Sequence, residues 1–177
     1  MSERGLFLFD TALGRCGLAW GPGGVLAVSF PEESDEKTRA RLLKRVPDAE
    51  ECDPTPEVAV IVVGIVALFQ GEKRDLSFAR LDWEGVGEFE RKVYDLTLAI
   101  PPGETKTYGE IARAIGDVAF SQRVGQALGR NPFPIIVPCH RVVGADGKMT
   151  GFSAPGGTES KRKLLKIEGA LQPELFD

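Results

Sequence analysis

Short apolar runs cut by glycine-rich turns fill the first thirty residues: GLFLFDT, a turn at Ala12-Leu13-Gly14-Arg15, CGLAW, the punctuation Gly21-Pro22-Gly23-Gly24, and VLAVSF. Runs of this length between such turns read as strands joined into two hairpins, so a small antiparallel sheet is expected. Beyond Ser34 the segments lengthen and the period becomes helical. SDEKTRARLLKRV has the pattern of an amphipathic helix. PEVAVIVVGIVALFQGE is open to two readings: its Val and Ile favour a strand, but its length and the Gln70-Gly71 ending suit a buried helix with Pro56 in the first turn. The helix is the reading adopted.

Residues 73–85, KRDLSFARLDWEG, have no clear period and read as the link between two halves. After them Phe89, Val93, Leu96 and Ile100 recur on one helical face, and Pro101-Pro102-Gly103 stops that helix. TYGEIARAIG follows, with Thr107 and Glu110 at capping-box spacing, then FSQRVGQALGRN, whose Phe120, Val124, Ala127 and Leu128 share a side. Two short helices so close together make a plausible helix-turn-helix, although a merely packed helix pair would look the same. The expectation is an α+β chain: residues 1–82 an N-terminal domain with a small antiparallel sheet and helices, and residues 83–177 a mainly helical domain with the helix-turn-helix.

With 177 residues, 42% of them hydrophobic and 27% charged, the chain can bury a core without disulfides or metal. The longest apolar run, residues 58–69, is short of the roughly 20 needed to cross a bilayer, and no signal peptide opens the sequence, so a cytoplasmic protein with no membrane partner is expected. Cys16, Cys52 and Cys139 are scattered without CxxC spacing and read as free thiols, and with one histidine they make a poor metal set. No metal and no cofactor are expected. Charge is uneven: residues 1–101 carry −6 and residues 102–170 carry +4 within a total of −4, so the second half could meet phosphates.

The sole histidine, His140, adjoins Cys139 in NPFPIIVPCHRVVG. Pro138 fixes the backbone before Cys139, which places the thiol at a rigid strand end. A buried cysteine is ordinarily inert, because desolvation opposes the thiolate, so reactivity requires a base. His140 is the available imidazole, though neighbours on an extended chain face opposite ways and would meet only across a turn or through a water. A structural histidine fits the pair alone equally well.

PPGETKTYGEIA, VGQALGRNPFPIIVPCHRVVG and GFSAPGGTESKRKLLKIEG together resemble the O6-alkylguanine-DNA alkyltransferases, also called methylated-DNA–protein-cysteine methyltransferases, over residues 89–169. Residues 1–80 match only in their strand-then-helix order. The resemblance implies direct repair: Cys139 accepts an alkyl group from O6 of guanine, once per molecule, in a monomer bound to double-stranded DNA, with O4-alkylthymine as a second lesion to consider. It implies that His140 takes the thiol proton through a water, that Glu168 holds and polarises His140, and that Asn131 braces the turn before Cys139. Tyr108 would donate a hydrogen to the departing guanine. The backbone of Val142 and the side chain of Ser153 would read the base, beside Phe152. Tyr108, Gly109, Ser121, Gln122, Arg123, Gln126 and Arg130 would meet DNA.

Three departures stand out. Gln122 occupies the place of the family arginine that fills the gap left by the flipped nucleotide, and Arg123 follows it. One helical residue is a rotation of about 100°, so Arg123 is expected toward the flank. Phe152 stands where many members have tyrosine, and the loop SAPGGTES is longer. Competing readings are a non-enzymatic alkyltransferase-like binder that flags alkylated DNA, which Cys139 argues against, and a cysteine hydrolase or redox sensor, neither of which accounts for the helix-turn-helix.

Overall fold

The protein is described from a computed structural model covering residues 3–145 and 157–170. Three antiparallel strands, β1 (Gly5–Thr11), β2 (Gly14–Gly21) and β3 (Gly24–Ser29), form the two expected hairpins. Gly24 has a φ of +119°, and a Cβ there would lie 2.4 Å from the Arg80 carbonyl oxygen, so only glycine serves this turn. A two-residue strand, β4 (Glu50–Glu51), adds in parallel to β1 and gives the order β3-β2-β1-β4. The sequence offered no sign of β4, which is polar and too short to carry a period.

Both sheet faces are covered. Helix α1 (Asp35–Arg45), capped by Ser34, packs on one face with Leu42 against Leu6, Leu8, Ala19 and Leu26. Helix α2 (Pro56–Phe69), capped by Thr55 and with Pro56 in its first turn, covers the other, placing Val58, Ile61, Ile65 and Leu68 against Phe9, Leu18 and Trp20. A sheet buried on both sides explains why β2 and β3 read as apolar runs and not as alternating strands. No helix of the described residues is long and apolar enough to cross a membrane.

The second half is helical. Helix α3 (Glu88–Leu98) ends before Pro101-Pro102-Gly103, and the buried Tyr94 donates from its hydroxyl to the Ala127 carbonyl at 2.6 Å. A strand β5 (Lys106–Thr107) leads directly into α4 (Tyr108–Ile115), whose capping box of Thr107 and Glu110 is formed in both directions. A single 3-10 turn, Val118–Phe120, then enters α5 (Ser121–Gly129). The described chain closes with α6 (Gly157–Ile167).

The main core is continuous across the link between halves, running from Phe9 and Leu18 through Ile65 and Leu76 to Val93, Val124, Phe133 and Leu164. Trp83 anchors the link, its ring edge-on to Phe133 at 5.4 Å and beneath the Arg91 guanidinium at 3.9 Å. The free edge of β3 is also covered: Val25 N–H donates to Arg80 O, and Val28 N–H donates to Pro132 O, both at 2.9 Å. The loop that precedes Cys139 is thereby hydrogen-bonded to the N-terminal sheet.

Candidate active site

The run before Cys139 is a constrained loop. Asn131 closes it from both ends: its Oδ1 accepts from Phe133 N–H at 2.9 Å, and its Nδ2 donates to the Val137 carbonyl at 3.0 Å. Inside that closure Ile135 has a φ of +78°. For a β-branched residue this is a strained conformation, of order 1–3 kcal/mol, held because Ile135 and its neighbours are buried. At Pro138, φ −79° and ψ +67° make an inverse γ-turn, and Cys139 N–H donates to Val137 O at 2.7 Å.

Cys139 is therefore not at a strand end, as the sequence suggested. It opens a 3-10 turn, Cys139–Arg141, which leads into a two-residue strand β6 (Val142–Val143). The ψ of Pro138 and the Cys139 N–H bond to Val137 O turn the chain here in place of extending it. β6 pairs in parallel with β5, Lys106 opposite Val142 and Thr107 opposite Val143, which brings the start of α4 and Tyr108 alongside the cysteine segment.

Three charged or polar groups lie buried around this turn. His140 is wholly buried, and its Nε2 lies 3.0 Å from Glu168 Oε2. Arg141 grips the same carboxylate with Nε on Oε1 at 3.0 Å and Nη2 on Oε2 at 2.8 Å, and its Nη1 donates to Ile100 O at 2.7 Å. Burial alone would push the Glu168 carboxyl up, but His140 and Arg141 outweigh it and hold it down at about 2. Glu168 is thus ionised and can only accept, so the His140 proton resides on Nε2. Burial also lowers the histidine's own affinity for a second proton. Its Nδ1 is left as a buried acceptor, with no hydrogen-bond partner among the described residues.

Cys139 is buried, which pushes its thiol up. Asn131 and Lys161 act in the opposite sense. Lys161 is 1% exposed, donates to Val142 O at 2.6 Å, and stands 5.8 Å from the Tyr108 ring centre. Burial lowers its ammonium to about 8, against an attraction from Cys139. Neither Lys161 nor Arg141 was singled out from the sequence. A signal for Lys161 existed: Lys161, Leu164, Leu165 and Glu168 are spaced as one helical face, and all four are buried. For Arg141, the hint was a charge between the apolar runs IIVP and VV.

On α4 and α5, Gly109 faces Ser121 closely: a Cβ at Gly109 would lie 3.9 Å from Ser121 Oγ, which itself donates to Val118 O at 2.7 Å. Tyr108 packs toward Gly125. Gln122 and Gln126 are exposed. Arg123 is drawn aside, its guanidinium 4.0 Å above the Phe89 ring and 5.5 Å from that of Phe120. Arg130 pairs with Glu90 at 3.1 Å. Phe152 and Ser153 lie outside the described residues.

Residues 88–170 match the family model described as 6-O-methylguanine DNA methyltransferase, DNA binding domain. The methylated-DNA–protein-cysteine methyltransferase of Mycobacterium tuberculosis H37Rv is 40% identical over 146 residues, which cover 79% of this chain and 86% of that one. The chain belongs to the methylated-DNA–protein-cysteine methyltransferase family. A relative with the same name from Methanosarcina acetivorans is 49% identical over 104 residues, 59% of this chain and 64% of its own. The fold is shared as well. The M. tuberculosis O6-methylguanine methyltransferase crystal structure superposes with a TM-score of 0.74 at 35% identity, over 98% of this chain and 99% of that one. M. tuberculosis OGT in complex with DNA matches with a TM-score of 0.70 at 33% identity, over 97% and 99%. As a methyltransferase of this family, the chain shares its α+β architecture across both halves, including the N-terminal half where residue motifs alone were weak.

Proposed function

We propose that this protein repairs alkylated DNA directly, moving the alkyl group from O6 of guanine onto Cys139 in a single irreversible displacement. The observation that carries the reading is His140, next to Cys139 in the chain, with Nε2 3.0 Å from the ionised Glu168 and Nδ1 without a hydrogen-bond partner among the described residues, an arrangement that sets Nδ1 up as a base. In the reaction His140 Nδ1 receives the Cys139 thiol proton through a water. The sulfur attacks the alkyl carbon, the carbon–O6 bond breaks, and its electron pair goes to the guanine. Tyr108 supplies a proton to the departing base, and the imidazolium proton later replaces it. The products are unmodified guanine in DNA and a thioether on Cys139.

Lys161 assists by electrostatics: a cation close to the sulfur favours thiolate where burial disfavours it. A thioether offers water no good leaving group, and Cys16 and Cys52 cannot resolve it as a disulfide would. Each molecule therefore acts once.

To reach O6 the guanine must leave the stack, at a cost of a few kcal/mol. α4 and α5 offer the surface that offsets this cost, with Gln122 taking the place of an inserted arginine. The backbone of Val142 and the side chain of Ser153 are assigned the reading of the extruded base, and Phe152 a part in binding it, on the family resemblance.

The test is stoichiometric. A duplex carrying O6-methylguanine in excess should lose one lesion per protein molecule and no more. Continued loss beyond one equivalent would reject the single-use mechanism.

A further inference from the structure

Away from Cys139, a groove of about 610 Å³ separates α1 from the end of α5. One wall carries Arg41, Lys44 and Arg45 from the last turns of α1, and the other carries Gly129, Arg130, Asn131 and Pro132. No carboxylate among the described residues lines it. Basic residues at a helix C-terminus are ordinarily explained by the macrodipole, and this covers Lys44 and Arg45. It does not account for Arg130 on the opposite wall, nor for four cations gathered around one groove.

The carboxylates nearest these cations lie outside the groove lining: Glu90 pairs with Arg130 at 3.1 Å, and Glu32 reaches Arg41 only at 3.9 Å. Lys44 is exposed and has no ion pair among the described residues. Arg45 donates from Nε to Leu26 O at 2.8 Å, which fixes its guanidinium at the groove wall.

Position selects the occupant. Arg130 directly follows α5, so the groove begins where the proposed recognition helix ends. A duplex lying on α4 and α5 has a regular line of phosphates, and four cations along an acid-free channel complement such a line. We infer that the groove receives the phosphodiester backbone of the same DNA, so that α1 of the N-terminal half extends the DNA surface. This inference rests on the DNA-repair reading above.

The test uses the full chain with Arg41→Ala and Lys44→Ala combined, and separately Lys44→Glu. Both sites are exposed, and thermal melting checks that the fold is intact. The double variant should bind a duplex at least tenfold more weakly at low salt, and the slope of log K against log salt should fall by about 2, roughly one per lost phosphate contact. Lys44→Glu should weaken binding further than loss of the charge alone. Transfer from free O6-methylguanine base should be unchanged in both variants. Unchanged duplex affinity and slope, with transfer intact, would overturn the groove inference while leaving the repair reading standing. Unchanged duplex binding together with altered self-association on sedimentation would assign the groove to a second copy of the chain, and would equally overturn it. Absence of transfer in the unaltered protein would instead defeat the repair reading.

Discussion

Glu168 is the residue on which the proposed site turns, because one buried carboxylate satisfies both His140 and Arg141. Replacing it with Gln keeps the shape but leaves a buried guanidinium without its counter-charge, which is costly. For Glu168→Gln we predict transfer slowed roughly 10- to 100-fold, since His140 loses the partner that fixes its tautomer. The stability consequence has a definite sign. A carboxyl held at about 2 in place of 4.5 contributes stability above pH 4.5, and that contribution is lost as pH falls toward 2. It is worth about 3 kcal/mol. Denaturant titrations should therefore show the unaltered protein losing stability more steeply through that window, while Glu168→Gln starts lower and declines less, because only the other paired carboxylates such as Asp75 and Glu90 still titrate there. A parallel decline in both proteins would remove Glu168 from the ion-pair role. At this scale the sequence was only partly legible. His140 and Glu168 are 28 positions apart, and their pairing was reached through the family resemblance, since nothing in the spacing alone lays Glu168 beside the 3-10 turn.

Elements with local causes were the most readable. Ser34, Thr55 and Thr107 each cap the helix that follows, and Thr107 with Glu110 forms the full capping box. The ambiguity at α2 is resolved toward helix: Val58, Ile61, Ile65 and Leu68 share the face laid on the sheet, whereas Val60 and Val63 are exposed on the other. The cysteine segment was misread as a strand end. An apolar run ending in proline suggests extension, whereas the closure by Asn131 and the turn at Pro138 bend it. Gln122 is an element-scale question, since its exposure depends on how α5 is rotated. With Arg123 held on Phe89 and Phe120, no arginine of the first turn of α5 is free to enter a gap in the base stack. Gln122→Arg should therefore speed repair of a duplex lesion several-fold while leaving reaction with the free base nearly unchanged. Equal acceleration on both substrates, in single-turnover assays, would contradict a role in base extrusion.

Across the whole molecule, the two halves work through shared packing. One core spans them, Trp83 packs on Phe133, and Val28 binds the Pro132 carbonyl, so the sheet braces the loop that aims Cys139. The uneven charge was readable as numbers. That α1 gathers its cations opposite Arg130 was not, because it depends on how the halves meet. Everything proposed for the site converges on one sulfur atom, Sγ of Cys139. The most direct measurement is peptide mapping by mass spectrometry after the protein has consumed an O6-methylguanine duplex. A single methyl group on the peptide containing Cys139, in proportion to lesion lost, and none with Cys139→Ser, is the predicted result. Lesion loss with Cys139 unmodified, or undiminished in the serine variant, would contradict the account.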